Sequence, residues 1–179
     1  MPVRILRRVR LAAARTLGQA LGIACFVAGF VVRSRSLRVL GLPSVAELSF
    51  RRGNFDAAST RAVQLLQLAE AQPSDWNFGN AVHKAHLILG RVALACGDLD
   101  TAGVKLIASA RVPGSPQLAS FGPNMQLALE LLQAGRKDVV LEYFRLCDKF
   151  WEMGHSQLHT WSVDVEQGRM PAFGGNLLY

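Results

Sequence analysis

The sequence predicts an all-α protein: an irregular stack of three helical hairpins closed by a C-terminal capping helix and preceded by an N-terminal hydrophobic helix. Helix-period apolar patterning through the second half of the chain is one sign. A segment that recurs three times around a glycine is another. The third is an uncharged run near the start, bounded by arginines.

Residues 1–40 form a basic segment. "MPVRILRRVRLAAAR" leads into "TLGQALGIACFVAGFVV", Thr16–Val32, which carries no charge. Seventeen helical residues reach about 25 Å, a little short of the ~30 Å hydrocarbon core but sufficient with snorkelling arginines. Residues 16–32 are therefore a candidate membrane helix. Five arginines before it against three just after place the N-terminus in the cytoplasm of a single-pass protein, with a bacterial inner membrane as the expected location. The alternatives for this segment are a cleaved signal peptide, an amphipathic surface helix, an organelle transit peptide and a wrongly assigned start.

Charge follows the same division. The chain has 179 residues and a formal net charge of +7, but eight of its 20 basic residues precede Glu47, the first acidic one. What remains, with all 13 acidic residues, is close to neutral. Direct nucleic-acid binding by the helical domain is not expected.

The domain, 43–179, is built on the repeated segments "VAELSFRRGNFDAA" (Val45–Ala58), "LGRVALACGDLDTA" (Leu89–Ala102) and "LALELLQAGRKDVV" (Leu127–Val140). Gly53, Gly97 and Gly135 fall where a first helix ends, because glycine accepts the left-handed conformation that closes a helix. Asp56, Asp100 and Asp138 then lie in the first turn of a second helix, where a carboxylate favours the dipole. Ala46, Gly90 and Ala128, with Ala58 and Ala102 opposite, let antiparallel helices approach. Phe50, Leu94 and Leu132 fill the seam.

This ladder of small residue, glycine, aspartate and alanine resembles the tetratricopeptide repeat (TPR), most closely in "LG" at Leu89-Gly90 and "GDLDTA" at Gly97–Ala102. The resemblance covers about residues 43–152 and implies a TPR-like stack with a concave groove for a peptide or partner helix. Successive glycines are 44 and 38 residues apart, not the 34 of regular repeats. Extra length is therefore expected after each second helix. "GSPQLASFGPNM" followed by "LALELL" and "FW" also resembles a bacterial group of such proteins, which implies no activity.

Taken in order, Ser44-Val-Ala-Glu47 is a capping box that starts the first domain helix after Pro43. The second runs from about Phe55 to Ala71, the third from about Asn80 to Cys96 and the fourth from about Leu99 to Ala110. "VPGSPQLASFGPNM" interrupts the pattern. Ser115-Pro116 and Gly122-Pro123 both read as helix starts, with Leu118 and Phe121 plugging a gap between hairpins or, as the alternative, with the loop forming part of a binding rim. Helices follow at about 123–134, 137–152 and 156–167. The tail, ending in Leu177, Leu178 and Tyr179, is expected to fold back on the domain.

No catalytic constellation emerges. His83/His86 and His155/His159 have the spacing of helical metal pairs but lack an HExxH, and the reading is of no metal and no cofactor. Cys96 and Cys147 read as small core residues. Tyr143, Phe144, Phe150 and Trp151 read as core, with an aromatic ligand cage as the alternative. The function expected is a membrane-tethered, TPR-like protein-interaction adaptor or scaffold without catalysis. The alternative is a soluble cytoplasmic regulator whose basic N-terminus contacts anionic lipid or nucleic acid. In the first case the hairpins' first helices line the groove, and Asn80, His83, Lys84, Arg91, Asn124 and Glu130 are the candidate partner-binding residues.

Overall fold

A computed structural model describes the backbone of residues 35–178 and the side chains of 41–178. The expected membrane helix at 16–32 lies outside the described residues, and no helix among those described is long and apolar enough to cross a membrane.

Eight α-helices and no strand occur among the described residues. They are α1 (Arg35–Arg51), α2 (Phe55–Glu70), α3 (Phe78–Ala95), α4 (Leu99–Ala110), α5 (Pro116–Phe121), α6 (Gln126–Gln133), α7 (Lys137–Cys147) and α8 (His155–Glu166), with short 3-10 turns at Glu152–Gly154 and Gly174–Leu177. Three pairs, α1/α2, α3/α4 and α6/α7, are joined by the glycine corners that the repeat marks. Gly53, Gly97 and Gly135 have φ of 73°, 84° and 81°. Each corner repeats the same two hydrogen bonds. At Gly97, for example, its N–H donates to the Leu94 carbonyl at 3.0 Å and the Asp98 N–H to that of Ala93 at 2.9 Å, which satisfies carbonyls the helix end would leave free. The next helix is then capped by the Asn54 or Asp98 side chain, which accepts from Ala57 N or Thr101 N. The third corner has Arg136 at the cap and no side-chain bond.

Helix packing follows residue size. Between α1 and α4 the buried positions are largely small: Ala46, Ala58, Ala62, Ala69, Ala81, Ala85 and Ala102. The α3/α4 pair packs most extensively, with α2 against α3 next. At Gly90 a methyl group would lie 2.4 Å from Leu127 Cδ2 and 3.1 Å from Lys105 Cβ, so the approach of α3 to its neighbours requires glycine there. Beyond α4 the core becomes aromatic. Phe144, Trp161 and Phe173 meet edge-on or tilted at 4.9–6.1 Å, and Trp151 reaches Trp161 at 5.9 Å. Tyr143, Phe144, Phe150 and Trp151 are all buried, as a core requires.

Several local expectations are corrected. The Ser44–Glu47 capping box starts no helix, because α1 is already formed there with Pro43 inside it; Glu47 turns to arginines instead. Helix α6 starts at Gln126, not at Pro123: residues 122–125 stay outside any helix because their polar groups bond to other parts of the fold. Ser115-Pro116 does start a helix, with Ser115 Oγ accepting from Leu118 N at 3.1 Å. Leu118 plugs the gap, while Phe121 is 63% exposed. Helix α7 stops at Cys147 and a 3-10 turn replaces its expected last turn. Cys96 is exposed at the end of α3, and only Cys147 is a core residue. The tail folds back through Phe173 and Asn176, which are buried, while Leu178 is 85% exposed.

Gly97 isolates the backbone contribution of a corner, since nothing lies within 4 Å of where its side chain would be. Gly97→Ala is expected to cost about 1–2 kcal/mol in urea unfolding, the strain of a left-handed alanine, and Gly97→Asn visibly less. Equal stability of glycine and alanine would show that this corner does not close α3.

Candidate functional site

An open groove of about 460 Å³ crosses one face of the domain. It is lined by Pro43, Ser44, Glu47 and Arg51 of α1, by Lys84, Leu87, Ile88 and Arg91 of α3, and by Asn124 and Gln126 at the start of α6; Leu177 and Leu178 of the tail close one side. The first helices of all three hairpins thus contribute. On α3 the spacing 84, 88, 91 puts a lysine, an isoleucine and an arginine along one stripe.

Arg91 organises the floor. Its Nε donates to the two Glu130 oxygens at 3.0 and 3.1 Å, and Nη2 lies 2.9 Å from Oε1. Its Nη1 donates to Glu47 Oε1 at 3.0 Å, and the guanidinium carbon stands 4.3 Å from the centre of the Phe50 ring. One side chain, 16% exposed, therefore joins α1, α3 and α6. Arg51 Nε also reaches Glu47 at 3.0 Å, and Gln126 Nε2 donates to Glu130 at 3.0 Å. A planar fork with five donors can serve two carboxylates and an aromatic face at once, which an ammonium cannot.

The six residues expected at the groove divide. Lys84, Arg91 and Asn124 line it, and Glu130 holds Arg91 from α6. Asn80 points elsewhere, its amide donating to Asn77 Oδ1 at 3.1 Å and to Gln117 Oε1 at 2.5 Å, so it ties α3 to α5. His83 belongs to the core at 1% exposure. Its Nδ1 is 2.9 Å from the Ser109 carbonyl and its Nε2 3.2 Å from the Asn124 N–H. A carbonyl only accepts and a backbone N–H only donates, so His83 is neutral with its proton on Nδ1. Burial, first, holds its pKa down at about 4, against the opposing bond to Ser109.

The lining residues that sequence reasoning missed are Pro43, Ser44, Glu47, Arg51, Leu87, Ile88, Gln126, Leu177 and Leu178. A signal for Glu47 was present: in the repeat it occupies the place of Arg91, directly after the small residue, with opposite charge. Lys84 is half-buried at the groove wall, and burial lowers its pKa, opposed by the field of Glu47.

With this geometry in hand, comparison with known proteins adds nothing further. No family model, curated protein or solved structure matches the chain. His83 faces the core, His155 pairs with Asp148, and among the described residues no three His, Cys, Asp or Glu side chains are grouped as metal ligands.

His83 gives stability a pH dependence. Its folded pKa lies below the unfolded value of about 6.5, so the unfolded chain takes up the proton first and stability falls as pH drops from about 6.5 to 4. The full loss is roughly 3 kcal/mol, with about 2 reached at pH 5. Urea midpoints from pH 7.5 to 5 are expected to fall in the wild type and to flatten in His83→Gln, the residual slope including His86, whose pKa burial also lowers. Parallel slopes in both proteins would contradict the assignment.

Proposed function

We propose that the chain is a non-enzymatic, TPR-like interaction module, an adaptor or scaffold whose groove receives a peptide segment or helix of a partner protein, and which residues 16–32 tether to a membrane. The observation that carries this reading is the Glu47–Arg91–Glu130 bridge, which aligns the first helices of the three hairpins along one continuous floor. Its volume falls in the range of about 300–1,000 Å³ typical of ligand-receiving clefts. The wall combines apolar Pro43, Leu177 and Leu178 with polar groups at intervals, the mixture by which helical grooves hold an amphipathic segment.

A photo-crosslinking amino acid at Ser44, an exposed position at the groove, is expected to capture a partner protein in cells, whereas the same group at Val104, an exposed position on α4, captures none. Capture from neither site, or equally from both, would count against the groove. Attachment has its own test: carbonate extraction of membranes at high pH is expected to leave the full chain in the pellet, and release into the supernatant would contradict the tether.

A further inference from the structure

We propose that the groove selects a peptide segment carrying a carboxylate side chain among apolar ones, and that Lys84 receives the carboxylate. This rests on the groove being the docking site. Of the groups at the groove, Arg51 is paired with Glu47, and Arg91 is divided between Glu47 and Glu130. Glu47 Oε1 takes bonds from both arginines and Oε2 one from Arg91, at 3.3 Å. Two acids and two arginines thus balance one another, and Lys84 is the surplus charge.

Among the described residues Lys84 has neither an ion-pair nor a hydrogen-bond partner. Its own helix offers no relief: the positions three and four away are Asn80, Ala81, Leu87 and Ile88. The facing elements bring Pro43, Ser44, Glu47 and Arg51 from α1, Asn124 and Gln126 from the corner, and Leu177 and Leu178 from the tail. Only one of these is an anion, and it is already shared. Burying an ammonium without a counter-charge is unfavourable, and the lowered pKa of Lys84 agrees with this. A carboxylate arriving from outside would remove that cost, while Pro43 and the two tail leucines give the neighbouring side chains apolar surface. A free inorganic anion would leave those walls uncovered, whereas a peptide segment uses both.

The test uses three probes, acetyl-Ser-Leu-Asp-Leu-Leu-Ser-amide and the same peptide with Asn or Lys in place of Asp. Each is titrated into the detergent-solubilised full chain while the methyl signals of Leu87, Ile88 and Leu177 are followed by NMR. At low salt the Asp peptide is expected to bind about tenfold more tightly than the Asn peptide, as a charge-assisted hydrogen bond at a half-buried site gives, and the Lys peptide more weakly still. Lys84→Met is expected to erase the difference and Lys84→Arg to keep it, with unchanged methyl spectra in the free proteins. If the Asp and Asn peptides bind equally to the wild type, or the preference survives Lys84→Met, the role of Lys84 is wrong while the docking groove stands. If no probe moves the three methyl signals, both readings fall.

Discussion

The arrangement of the three hairpins depends on one shared guanidinium. Arg91 is held on one side by Glu130, 39 residues later, and on the other by Glu47, 44 residues earlier. Both carboxylates are partly shielded from water, at 30% and 22% side-chain exposure, so the attraction is screened less than in a surface pair. Removing the cation would leave two acids facing each other across the groove floor. The bridge ties α1, α3 and α6 to one another along the groove floor.

A second constraint sets the far end of that groove. The non-helical residues 122–125 are a junction whose polar groups are drawn to different elements: Asn124 N–H to His83 of α3, Asn124 carbonyl to the Tyr143 hydroxyl of α7, and Met125 N–H to the Asn176 carbonyl of the tail. The Asn176 amide returns to the carbonyls of Phe121 and Pro123. This explains why a helical chain breaks at Gly122-Pro123 and does not resume at once. The break lets one short segment anchor hairpin, aromatic core and tail together, and it sets Asn124 and Gln126 at the groove edge.

How much of this could be read from sequence follows from the range of the interactions. The glycine corners are local: a left-handed residue, two backbone bonds and a cap lie within six residues, and the limits of α4 match the expectation at both ends. Burial of the small residues on α2 and α3 follows from the same periodicity. Errors arise where a local signal meets a distant partner. Ser44 and Glu47 have the spacing of a cap, but the acid is taken by two arginines. Pro123 fits the first turn of a helix, but its neighbours are drawn off by His83 and Asn176. His83 looks like any polar residue on a helix face, and only the Ser109 carbonyl and Asn124 amide explain its place in the core. At the groove, Lys84 and Arg91 are legible from their place on a first helix, and Asn124 from an expected helix that in fact starts at Gln126. The lining by α1 and the tail is not, because it depends on which helices become neighbours.

Arg91 is expected to couple the first helices energetically as well as geometrically. A double-mutant cycle with Arg91→Met and Glu130→Gln, read as urea unfolding free energies, tests it most directly. A coupling of about 1–2 kcal/mol is expected for a pair with this burial and this geometry. Losses that add within about 0.3 kcal/mol, the behaviour of independent sites, would mean that the bridge is incidental and that something else holds the groove open.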